Sequence, residues 1–181
     1  MSPIDETKPD LKDIVAILER TPASLTALLA GLPDVWITAT EGDNTWSPYD
    51  VIGHLIRGER TDWIPRVKHI LAGETRPFPA FDRTAQFAES KDASLSALLA
   101  EFASAREESI TTLRSLNLTR EDFRRTGQHP DFGTVTLGQL LATWTVHDLD
   151  HVGQIARTMA KVYSNAVGPW QAYLSILRDR S

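Results

Sequence analysis

His147 and His151 stand four positions apart in this 181-residue chain, and their type and spacing could hold a divalent metal ion. On an α-helix, four positions mean a rise of about 6 Å and an angular offset of about 40°, so the two side chains stand one above the other. Imidazole nitrogens so placed can share one ion at the usual Zn–N distance of about 2.0–2.1 Å. On a helical wheel both histidines sit at the edge of a stripe formed by Leu140, Trp144 and Ile155, where a ligand inside a bundle belongs. The spacing by itself is a weak signal, because two helix-surface histidines would look the same. Asp148 follows His147 where the H-E-x-x-H peptidase motif requires Glu, so that chemistry is not indicated.

Asp148 itself falls near the centre of the same stripe, and a carboxylate there must be paired, metal-linked or protonated. Arg106 and Ser109 occupy comparable places between Phe102 and Leu113. An ion pair of Arg106 with Asp148, or with Glu59, accounts for them structurally. A functional reading makes Arg106 an anchor for a substrate carboxylate or phosphate.

Composition narrows the chemistry. With no cysteine there is no disulfide, no thiolate nucleophile and no Cys-type zinc site. The net charge of -5 argues against a nucleic-acid partner, which would want clustered Lys and Arg. No run of about 18 apolar residues is present to span a membrane. Met1 to Asp10 lacks both a basic start and an apolar core, so no signal peptide is expected. The expected location is the cytoplasm.

The elements that must position these residues are helical. Ile14, Ile17, Leu18, Leu25, Leu28, Leu29 and Leu32 repeat at three- and four-residue steps. Pro22 interrupts them, since it cannot donate to the carbonyl of Leu18, and predicts a kinked helix or two stacked pieces ending near Gly31. Ser47-Pro48-Tyr49-Asp50 opens a second helix with a cap, a proline in the first position and an acid three residues after the cap. It should run to about Leu71, before Gly73, and bury Ile52, Ile56, Trp63, Val67 and Ile70. A third helix is expected from about Lys91 to Leu116, led by Ser90. The fourth starts at Thr136, with Gln139 three residues after the cap, and continues to about Tyr163. A short tail helix after Pro169 would bury Trp170, Tyr173, Leu174 and Leu177.

No stretch alternates convincingly as a strand. Four amphipathic helices can hide their faces only against each other, so the expectation is a single all-α domain spanning 1–181, a four-helix bundle with a short C-terminal helix. Its connections are long, roughly fifteen to twenty residues. The one at 73–90, with Pro77, Phe78, Pro79, Phe81 and Asp82, reads as a pocket wall.

The arrangement resembles the DinB-like (YfiT-like) superfamily of four-helix-bundle metal-binding proteins. Trp46-Ser47-Pro48-Tyr49-Asp50-Val51-Ile52-Gly53-His54-Leu55 carries the likeness on the second helix. Thr136-Leu137-Gly138-Gln139-Leu140-Leu141 and His147-Asp148-Leu149-Asp150-His151-Val152-Gly153-Gln154-Ile155 carry it on the fourth. In that family one histidine of the second helix joins an H-x-x-x-H pair of the fourth, which implies His54, His147 and His151 as the ligands here. Periodicity alone would not nominate His54, which lies away from the Ile52/Ile56/Trp63 face and nearer Val51, Leu55 and Gly58. Asp148 or Gln154 would then orient the ligands. His69 and His129 fall outside the motif; His69 is most simply solvated, and His129 is an exposed loop residue that could edge the pocket.

Three neutral imidazoles leave a cation an open position, which suits either hydrolysis or activation of a thiol. Lacking cysteine, the chain would need an external low-molecular-weight thiol. The resemblance implies zinc or nickel, frequent homodimers and a small-molecule substrate. The leading expectation is a metal-dependent thiol S-transferase or related detoxifying enzyme. The alternatives are a metal-dependent hydrolase and a non-catalytic metal- or ligand-binding stress protein.

Overall fold

The computed structural model describes residues 9–178; the leader expectation rests on residues that mostly lie outside this range. The first helical segment is two stacked pieces, α1 (Leu11–Leu18) and α2 (Thr21–Leu29), divided ahead of Pro22 as its chemistry requires. The carbonyl of Leu18, which Pro22 cannot reach with a donor, instead accepts Arg106 Nη1 at 2.8 Å. Gly31 follows α2 with a φ of +75°. A single turn, α3 (Asp34–Ile37), lies in the first long connection.

The second segment opens as its cap predicts. Asp50 N–H donates to Ser47 Oγ at 3.2 Å, and Ser47 N–H donates to Asp50 Oδ2 at 2.9 Å. It is not one helix to Leu71, however. It breaks at Asp62 into α4 (Pro48–Thr61) and α5 (Trp63–Ala72). Pro65 has no N–H for the carbonyl of Thr61, so the helical ladder cannot pass that point unbroken. Gly73, with a φ of +71°, ends α5 in the left-handed cap that glycine tolerates best.

The wall segment holds α6 (Ala85–Glu89), and Ser90 closes it rather than opening the next helix. The third helix, α7 (Leu95–Ser115), is capped by Ser94, whose hydroxyl accepts Ala97 N–H at 3.2 Å. A hairpin then appears that the sequence reading did not anticipate. Strands β1 (Thr126–His129) and β2 (Gly133–Thr136) pair antiparallel with His129 opposite Gly133. Four-residue strands are too short to alternate visibly. Gly127 is needed there because a Cβ would lie 2.7 Å from Phe78 and 2.8 Å from Ile70.

Thr136 ends β2 and caps α8 (Leu137–Lys161), exchanging bonds with Gln139 at 2.8 and 3.1 Å. The chain therefore folds as a four-helix bundle of α1–α2, α4–α5, α7 and α8. Beyond it the tail forms 3₁₀ turns, Gly168–Tyr173 and Ser175–Leu177. The short tail helix is thus present in 3₁₀ form, but of its four expected core residues only Leu177 is buried: Trp170 and Tyr173 are 69% and 85% exposed, and Leu174 is exposed as well. Among the described residues no helix is long and apolar enough to cross a membrane.

The core has two apolar clusters. One gathers α1, α5 and the first turns of α8 around Trp63, Leu113 and Trp144. The other gathers α2, α4 and the later part of α8 around Ile52, Phe102 and Ile155. Along α8 the two clusters are separated by the stretch that carries His147, Asp148 and His151.

Candidate metal centre

The structure brings His54 on α4 to the α8 pair. His147 Nε2 lies 3.1 Å from His54 Nε2 and 3.1 Å from His151 Nε2. The three donor atoms all fall within 4.8 Å of one another. Two nitrogens bound at tetrahedral angles and about 2.0–2.1 Å from one zinc ion would stand about 3.3–3.4 Å apart. The two separations at His147 lie close to that value, so the donor set suits such an ion.

His54 reaches this place because α4 is covered on several sides. Val51 through Ile56 are all buried, so no solvent face exists there for His54 to occupy. A helical wheel with one apolar face describes a helix at the rim of a bundle, not one enclosed by α6, α7 and α8.

Hydrogen bonds prepare two of the rings. His54 Nδ1–H donates to Gln86 Oε1 at 3.1 Å, and His151 Nδ1–H donates to Gln154 Oε1 at 2.8 Å. Each bond keeps the proton on Nδ1 and turns the Nε2 lone pair toward the shared point. Gln154 is the orienting residue expected from the sequence. Gln86 was missed. It sits in a five-residue helix inside a connection, where no periodic signal marks it, yet it is 1% exposed. His147 Nδ1 is buried without a hydrogen-bond partner among the described residues.

Burial keeps the rings neutral, as a cation requires. Desolvation, aided by His151, lowers the His54 pKa to about 4. Desolvation and the two neighbouring rings lower that of His147 to about 2. His151 is lowered chiefly by burial.

A cleft of about 470 Å³ opens on the three histidines. Trp46 packs on His54 with ring centroids 4.8 Å apart, Phe81 meets His54 edge-on at 5.4 Å, and Trp63 meets His147 edge-on at 5.1 Å. The 73–90 segment thus does form a wall, through Phe81, whereas Phe78 belongs to the core. Asp62, bonded to Arg66 at 2.7 Å, lies on another side. His129 edges the cleft and stacks on Phe132, with centroids 4.4 Å apart. A larger groove, about 700 Å³, runs between α2 and α7 and holds none of the histidines.

Arg106, Asp148 and Glu59 do not face the cleft. Arg106 donates to Asp148 Oδ2 and Oδ1 at 2.6 and 3.0 Å and to Glu59 Oε1 at 2.7 Å. Trp144 Nε1–H adds a bond to Glu59 Oε1 at 3.1 Å. Burial opposes the charge on Arg106, but the two acids outweigh it and raise the pKa. With Arg106 1% exposed and both of its Nη atoms bonded to these acceptors, the structure supports the ion-pair account of these residues and not a substrate anchor. His69 is also buried rather than solvated, and its Nε2–H donates to the carbonyl of Arg76 at 2.9 Å.

A family model for the DinB superfamily matches residues 17–155. Among solved structures, YfiT from Bacillus subtilis is similar, with a TM-score of 0.72 and 26% sequence identity over 93% of this chain and 94% of that one. That protein is described as a probable metal-dependent hydrolase with an unusual four-helix bundle topology. A comparison with curated protein sequences finds no match.

Proposed function

The chain belongs to the DinB superfamily, and from that premise we propose that it is a hydrolase of small molecules that works with one divalent cation held by His54, His147 and His151. The observation that carries this reading is the convergence of three Nε2 atoms whose lone pairs Gln86 and Gln154 help to aim. Similarity to YfiT, a probable metal-dependent hydrolase, supports it. Zinc and nickel suit an all-imidazole donor set.

A bound cation would supply Lewis acidity for attack on a polarised carbon or phosphorus centre. The chain's own residues do the rest. The imidazoles stay unprotonated because they are buried. Trp46, Phe81 and Trp63 reduce access of bulk water and offer an apolar seat for the substrate. Asp62 is the proton acceptor we assign. Burial, against the pull of Arg66, raises its pKa to about 6, close to the working range of a general base.

Thiol transfer, which the family resemblance also implies, rests on that resemblance alone. Metal-loaded protein incubated with a panel of small esters, amides and alkylating electrophiles, with and without a thiol, separates the two. Hydrolysis without thiol, lost in His147→Ala and reduced in Asp62→Asn, supports the proposal. Turnover that needs the thiol transfers the site to the other chemistry.

A further inference from the structure

The cleft contains a hydrogen-bond donor that neither the histidines nor their glutamine partners use. Trp63 and Trp144 stack face to face, with centroids 5.5 Å apart and planes 9° from parallel. Trp144 spends its indole N–H on Glu59. Trp63 is only 5% exposed, and its N–H meets no acceptor among the described residues. The nitrogen lies over Gly58, where a Cβ would stand 3.1 Å from it. Gly58, Trp63 and the three histidines all line the same cleft.

A donor on a side chain so largely buried, with no acceptor from the protein, is free to bond a ligand that enters the cleft. Two parallel indoles with opposite fates make that unpaired group conspicuous: one N–H is tied into the ion-pair cluster, the other faces the space beside the ligands. We propose that Trp63 Nε1–H is a substrate-binding group that donates to an oxygen of the molecule seated at the three-histidine centre. Gly58 keeps the space against the indole nitrogen clear of a side chain. The substrate class this selects is acyl, an ester or amide with a carbonyl oxygen beside the bond that breaks. A donor fixed at that oxygen favours the charge that develops there during attack. This inference rests on the hydrolase reading.

The test uses zinc-loaded full-length protein and acetohydroxamate, a probe that carries the oxygens of an acyl group. Indole ¹⁵N–¹H spectra, with the Trp63 signal identified by its loss in Trp63→Phe, should show that signal moving downfield on addition of the probe, and moving further than the Trp144 signal. Trp63→Phe should bind the probe about tenfold more weakly at unchanged zinc affinity, the scale of one hydrogen bond. Gly58→Ala retains the indole but crowds its nitrogen. It should also weaken the probe while keeping thermal stability, since alanine favours the helix. A Trp63 signal that stays in place, or undiminished probe binding by both variants, overturns this inference and leaves the hydrolase reading standing. Failure of the wild-type protein to take up zinc overturns both.

Discussion

Arg106 on α7 grips both carboxylate oxygens of Asp148 on α8, with the two side chains 2% and 0% exposed. The same guanidinium bonds Glu59 Oε1 on α4 and the Leu18 carbonyl that Pro22 leaves open, so one residue ties four helical segments together. Asp148 directly follows His147, and Glu59 lies five positions after His54, which makes this cluster the frame that sets α4 against α8.

Removing the guanidinium strands two buried acids. Arg106→Met should lose about 3–5 kcal/mol of stability, the usual loss when one partner of a buried pair is deleted. Urea unfolding measures it, and a loss below about 1 kcal/mol would show that the buried acids do not depend on this guanidinium. Burial already raises the Glu59 pKa in spite of Arg106, so Glu59 should take up a proton more readily once the guanidinium is gone.

Zinc at a hundred times its dissociation constant should stabilise the wild-type protein by about 2.7 kcal/mol. His54→Ala and His147→Ala should fold yet lose most of that gain. Thermal melts with and without zinc read the difference. Equal zinc stabilisation in all three proteins would place the ion elsewhere.

The glutamines are expected to act through ring orientation. Gln86→Leu and Gln154→Leu should each weaken zinc binding by about 10–100-fold while leaving the fold intact. Gln86 Nε2 has no partner now, so leucine also removes a buried unsatisfied group. Competition with a chromogenic chelator measures the affinities; wild-type values in both variants would reduce the two residues to packing.

Acid should destabilise the metal-free protein through its buried histidines. His54 and His147 have folded pKa values of about 4 and about 2, against about 6.5 when unfolded. Below pH 6.5 the unfolded chain therefore binds more protons, and stability is lost as the pH falls toward 4. Asp62, raised to about 6, works in the opposite sense over part of this window. His54→Gln should reduce the slope of stability against pH by up to about 1.4 kcal/mol per unit. Urea titrations at pH 7, 6 and 5 provide the comparison, and an unchanged slope would mean that His54 is not sealed from water.

Local signals in the chain proved readable where the physics is local. Ser47 with Asp50 and Thr136 with Gln139 cap their helices because each exchange spans three residues. Pro22 divides α1 from α2 because its ring acts one turn back. The start of α7 was misplaced because Ser90 and Ser94 are both acceptable caps, and only the packing of α6 decides between them. Pro65 carries the same information as Pro22, and the long apolar register around it hid the break at Asp62.

Residue order and chemistry alone determined the helical class, the absence of thiol groups and the stacking of His147 over His151. Those follow from backbone periodicity and side-chain type. Tertiary structure decided the rest: that His54 points inward from the buried stretch 51–56 of α4, that Gln86 accepts a hydrogen bond from its Nδ1–H, that Arg106 serves the frame and not a ligand, and that Trp63 keeps a free N–H in the cleft. Each of these depends on which helices cover a given face, and coverage is a property of the assembled bundle that no single segment encodes.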